Sequence, residues 1–500
     1  MISKKIGLAL LSVAVVVILI TAAIVVLNPI QGKTAASYYS DGMAELGKGN
    51  YRTASSLFWQ SYEGFNGKSD AVNASAALHQ KFIADRALNE FPYTRSEAVR
   101  QVKLGFPSLS NETIEKMLDD LKAERVVTDG EALYFSDVAT NMAFRNSTLL
   151  HQKFESMGQT PIFDELMPLV LASQGEHRTY FNLTDFKVTG NLTIARNTLP
   201  SSGTLKIWLP APINTASQCN ITLNVTSPGR VVSSSAPDSE LGLIYVEIDL
   251  SGVTEDVKVV MNYTYSEYQI KFEVDPNIVG DYDKTSPLYL EFTASHDSIL
   301  VTPEIQALAN SIVGEERNPY LQAKLVYEHV LGNITYSYTP HGSLSARGIP
   351  ESEYVRINRF GDCGAQSMYF AALMRALGVP ARATGGYQVF PPASGTHVWA
   401  EFYLPNYGWV PVDVTAAETA DWSYNATPEQ KEVFKAFFLG NLDPYRFVIQ
   451  VDNDLAAEPS IGDSVQFTSI YQFPAIVCEG ASVDLAMNAI YHWKMEVRPA

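Results

Sequence analysis

Cysteine is nearly absent from this chain: three in 500 residues, at positions 219, 363 and 478. That scarcity excludes a disulfide framework, and the odd count leaves at least one thiol unpaired within the chain. Positive charge is scarce too. Thirty-six Lys and Arg stand against 54 Asp and Glu, a net charge of −18. This excludes the basic footprint that nucleic acid phosphates require and disfavours adhesion to an anionic membrane surface. No dedicated calcium loop is present, because the acidic patches Asp281-Tyr-Asp283 and Asp452-Asn-Asp454 lack the ligand spacing. Neither a metal nor a cofactor is expected.

Long apolar runs are rare, and one stands out. IGLALLSVAVVVILITAAIVVL, Ile6 to Leu27, is uncharged and exceeds the roughly 20 residues that cross a hydrocarbon core. Lys4 and Lys5 precede it, so the positive-inside rule predicts a single-pass anchor at the cell membrane, N-terminus cytoplasmic and the bulk of the chain extracytoplasmic. A cleaved signal peptide is the alternative. Ten Asn-x-Ser/Thr triplets, at 73, 111, 146, 182, 191, 220, 224, 262, 333 and 425, suit an extracellular glycoprotein.

Composition then divides the chain. Residues 1–35 read as a cytoplasmic stub and anchor, and 36–178 as a helical region. Within the latter, Ser37 to Phe65 resembles one tetratricopeptide-type hairpin without a second copy. A capped helix and a hairpin turning at Asp129-Gly130 are predicted over 110–135. Residues 179–275 alternate apolar and polar residues between Gly, Pro and Ser turns, which predicts a β-sandwich. A further α/β extension, 426–500, carries one helix near 427–439 and strands near 447, 465 and 491, without a functional reading.

Between them, 285–425 holds the chemistry. In RFGDCGAQSMYF, residues 359–370, Asp362 is a good N-cap type and Cys363 falls in the first turn of a helix stopped by Gly378 and Pro380. The N–H groups there favour thiolate over thiol, while Asp362 opposes it, so a histidine must help. His397 heads an alternating strand, HVWAEFYL, and Asp413 follows on the returning strand. A base with an orienting carboxylate is what a cysteine nucleophile needs. The turn decides whether they meet. Four residues, 405–408, would put Asp413 opposite Ala400, on the wrong face; five, 404–408, put it opposite Trp399 and diagonal to His397. A bulge near Pro411 would serve equally.

The ordered motifs Gly-x-Cys at a helix start, Leu-Gly-Val-Pro-Ala-Arg, Gly-Gly-Tyr, His-x-Trp-x-Glu and Gly-Trp-x-x-x-Asp resemble the transglutaminase-like superfamily. The resemblance implies an α+β, papain-like core in which a helix carrying Cys363 packs on an antiparallel sheet carrying His397 and Asp413. It also implies acyl transfer from peptide or protein amides through a Cys363 thioester. Water as acceptor gives a cysteine protease or amidase, and an amine gives a protein-glutamine acyltransferase; hydrolysis is favoured. Gly364, Trp399 and Glu401 are expected beside substrate or behind the triad. A catalytically silent, peptide-binding envelope scaffold on the same core is the alternative.

Overall fold

A computed structural model describes residues 33–157, 162–423, 425–462, 469–481 and 483–500. The run at 6–27, expected to be a membrane anchor, lies outside them. Among the described residues no helix is long and apolar enough to cross a membrane.

The N-terminal region is helical. Helices Ala35–Gly47, Tyr51–Asn66 and Ala71–Asn89 pack in sequence. Helix Asn111–Asp120 starts where the Ser110 side chain accepts the Thr113 N–H, a cap that satisfies one orphan donor. The hairpin after it turns at Asp129 and Gly130, both with positive φ, as a two-residue turn of that composition requires.

The centre of the molecule is the helix Cys363–Ala376. Sequence periodicity predicts one buried face, yet every residue from Gly364 to Arg375 is buried. Helices Pro303–Val313, Pro319–Asn333 and Glu351–Asn358 cover one side, and the sheet covers the other. Its last turn is stabilised by Arg375, whose Nε donates to the Ala381 carbonyl while Nη2 meets Asp452.

The sheet is antiparallel, in the order Gly408–Val412, Ala393–Leu404, Ala381–Phe390, Arg446–Gln450. The fourth strand comes from the C-terminal extension and runs very close to the third. A Cβ on Gly386 would stand 1.7 Å from the Phe447 carbonyl oxygen, so the Gly-Gly step is a steric requirement of this pairing. Gly386→Ala is expected to cost at least about 2 kcal/mol in a denaturant titration, because the clash is with backbone that cannot rotate away.

The residues expected to make a β-sandwich do form strands, but the segment 179–275 does not complete its own sheets. One sheet joins Tyr180–Ile194, Val257–Lys271 and Gln218–Thr226 with Asn441–Leu442 and Trp493–Pro499. The other joins Thr204–Pro210, Leu243–Asp249 and Arg230–Ser234 with Ala475–Cys478. Their shared apolar core also takes Tyr387, Val389, Phe447 and Ile449 from the central sheet. The C-terminal extension is therefore no appendage: its strands tie three sheets together. Tyr491 and His492, expected in a strand, end the helix Leu485–His492. All three cysteines are free, so Cys219 and Cys478, the two outside residues 285–425, form no disulfide with each other.

Candidate active site

The turn after Leu404 takes the register that the chemistry needs. Tyr403 pairs with Trp409 and Ala400 with Val412, leaving Asp413 one step beyond the strand, level with Trp399. Asp413 then caps the helix Val414–Trp422, its Oδ1 accepting the Ala416 N–H at 2.9 Å. Its Oδ2 accepts His397 Nε2 at 2.7 Å. A local need, the helix cap, thus fixes the carboxylate that fixes the imidazole.

A third group shares that oxygen. Arg446 Nη1 donates to Asp413 Oδ2 at 2.6 Å, and Arg446 Nη2 donates to Asp443 Oδ2 at 2.7 Å. All three side chains are essentially sealed from solvent at 1% exposure, and the guanidinium lies 5.0 Å from the Trp399 ring centroid. Burial works to raise the Asp413 carboxyl, but the charges of His397 and Arg446 and the bonds from His397 and Ala416 outweigh it. The group is held ionised well below the usual carboxylate range.

Cys363 occupies the first turn of its helix, under the cap made by Asp362, whose Oδ1 accepts the Ala365 N–H. The backbone N–H groups of Val398 and Gly364 face the sulfur. They are outweighed. Burial, then the charges of Asp362 and Asp413, pushes the thiol up, so the helix N-terminus does not by itself yield the expected thiolate. Among the described residues His397 makes no hydrogen bond to the sulfur; its Nε2 is spent on Asp413, which leaves Nδ1 for a thiol proton. Such contacts commonly tighten only with substrate bound.

The sulfur opens on a cavity of about 480 Å³ that Gly364 also lines. Tyr336, Tyr338, Met368, Ile470, Phe473 and Ile490 supply its apolar and aromatic lining. Gln472, beside them, donates from Nε2 to the carbonyls of Gly386 and His397, clamping the strand that carries the histidine.

The remaining expected residues divide. Trp399 is buried 6.0 Å from the His397 ring, covering the His–Asp–Arg chain rather than facing the cavity. Glu401 belongs elsewhere: it pairs with Arg382 at 2.6 Å, and that guanidinium stacks 4.0 Å over Trp409. Sequence reading missed Arg446, Asp443 and Gln472, which share no motif with Cys363, and His341, which also lines the cavity. A buried-position arginine in an apolar strand, RFVIQ, was the available signal.

Comparison with known proteins gives a family match over the segment that contains Cys363, His397 and Asp413. Residues 306–414 match the model of a family described as the transglutaminase-like superfamily. A Haemophilus influenzae protein described as uncharacterized is 23% identical over 292 residues, 51% of this chain and 74% of that one. A Pseudomonas aeruginosa protein-glutamine gamma-glutamyltransferase is 28% identical over 141 residues, only 20% of its own length and 26% of this chain. A Cytophaga hutchinsonii crystal structure, described as a candidate cysteine protease, aligns over 64% of this chain and 92% of its own, with 18% identity and a TM-score of 0.38.

Proposed function

With a transglutaminase-like domain at residues 306–414 as premise, we propose that the protein is a membrane-anchored, extracytoplasmic thiol enzyme that hydrolyses peptide or protein amides. The observation that carries this is the His397–Asp413 bond at 2.7 Å, on the strand whose next N–H, that of Val398, faces the Cys363 sulfur.

His397 Nδ1 takes the Cys363 proton as the sulfur attacks the amide carbonyl. The N–H groups of Gly364 and Val398 are the donors nearest the developing oxyanion. The imidazolium gives its proton to the leaving amine, and the thioester that remains is opened by water with His397 again as base. Asp413 holds the ring oriented and stabilises its charge. An amine in place of water would give acyl transfer. None of the ten Asn-x-Ser/Thr asparagines is buried, which supports the extracytoplasmic reading.

A peptide-binding scaffold on the same core is the second reading, favoured by the burial and carboxylates that hold Cys363 as a thiol. Purified protein incubated with casein and a dansylated amine separates the readings. Peptide release with little dansyl incorporation is expected, and Cys363→Ala should lose it by at least about 10⁴-fold. Casein left whole and unlabelled by the wild type would favour the scaffold.

A further inference from the structure

The resting site poses a problem that its triad does not solve. Asp362, adjacent to the nucleophile, sets a negative charge against thiolate formation. An asparagine would cap the helix as well.

The structure sets a second histidine against that carboxylate. His341 opens the short helix His341–Arg347 and lines the same cavity as Cys363 and Asp362. Its Nε2 lies 2.8 Å from Asp362 Oδ2, and its Nδ1 lies 3.4 Å from Glu351 Oε1. A ring with a carboxylate at each nitrogen is satisfied only when both nitrogens carry protons, since a neutral imidazole would point a lone pair at one of them. The same Asp362 carboxylate also accepts the N–H groups of Thr339 and Ala365. The ring's backbone is pinned as well: Glu90, from the helical region, accepts the N–H groups of Gly342 and Ser343, each at 2.7 Å.

We propose that His341 is a positioning residue for this site, its imidazolium cancelling the Asp362 charge so that the helix cap does not oppose ionisation of Cys363. The role rests on Cys363 being the nucleophile, as read above. Its effect depends on pH through every charged neighbour. Asp362 and Glu351 favour the imidazolium over the opposing effect of burial. Glu90, whose carboxyl burial pushes up to about 7, lies beneath the same helix. Asp413 acts on the sulfur from the sheet, and the phenols of Tyr336 and Tyr338 stand nearby on the cavity wall. Burial first raises the Asp362 carboxyl, but His341 and the backbone donors bring it below the usual range. The assistance is present below the pH at which His341 loses its proton, and disappears above it.

The test is the pH dependence of iodoacetamide alkylation at Cys363 in the full chain, with Cys219 and Cys478 changed to Ala. It needs no substrate, so its result is independent of whether casein is cleaved. His341→Gln keeps a donor toward Asp362 without the charge. It should slow alkylation at pH 7 about tenfold and raise the midpoint by about one pH unit, the size of one nearby charge. Asp362→Asn, which still caps, should shift the midpoint the other way, and the double variant should return to within about threefold of the parent. An unchanged midpoint in His341→Gln overturns the proposal. So does a double variant as slow as His341→Gln. Should His341→Gln fail to fold, Asp362→Asn alone decides: no acceleration refutes it.

Discussion

Asp413→Asn is expected to lower kcat about 10⁴-fold while the fold persists. Asparagine retains an oxygen for the Ala416 N–H, so the helix Val414–Trp422 keeps its cap. It has no second acceptor for the two donors that converge on Oδ2, His397 Nε2 and Arg446 Nη1. Turning the amide nitrogen toward His397 would force the ring to accept at Nε2 and carry its proton on Nδ1, the nitrogen needed as base. The imidazolium formed during attack would also lose its counter-charge. Steady-state kinetics on casein, beside circular dichroism, checks this. A loss below about tenfold in a folded variant would show that Asp413 is only a helix cap.

Arg446→Met is expected to destabilise the protein by about 3–5 kcal/mol, because it removes the cation that two buried carboxylates share. Asp443 and Asp413 both bond this guanidinium at 1% exposure. The remaining partners of Asp443 are the Gln388 side chain and the Tyr445 N–H, which do not neutralise it. Asp443→Asn added to Arg446→Met should recover part of the loss, since one stranded charge is removed. Arg446→Lys should behave differently. An ammonium is a point donor and cannot span both carboxylates in the way the planar fork does. Urea titration of the three variants gives the ranking, and equal stability of Arg446→Met and the parent would exclude the buried chain as a structural element.

How much of this the sequence disclosed follows from the range of the forces involved. Cys363 at a helix start was legible because Asp362 and Gly378 act within one turn of the chain. The meeting of His397 with Asp413 reduced to a turn length, and the structure has the pairing of Tyr403 with Trp409 that the five-residue turn requires. Strands in 179–275 showed as period-two patterning, but no pattern says which edge a strand joins: the strand expected near 491 forms at 493–499, yet its place closing a sheet of 179–275 was not foreseen, nor was the strand at 475–478 that closes the other. Arg446 reaches Asp413 across a strand pairing that depends on Gly386 having no side chain, a contact with no local signature. The all-round burial of the Cys363 helix escaped for the same reason: polar residues such as Gln366 and Arg375 find buried partners in Glu418 and Asp452, so a polar position did not mark an exposed face. Glu401 misled in the opposite sense, its motif position suggesting a place behind the triad when its charge is spent on Arg382.

The central claim is a covalent acyl group on one sulfur. Rapid acid quench of the protein with a p-nitrophenyl acyl ester, followed by peptide mass analysis, tests it most directly. The account predicts a single acyl adduct on the peptide containing Cys363, absent from Cys363→Ala and formed far more slowly in His397→Ala. Acylation confined to lysines, or equal in wild type and Cys363→Ala, would contradict it.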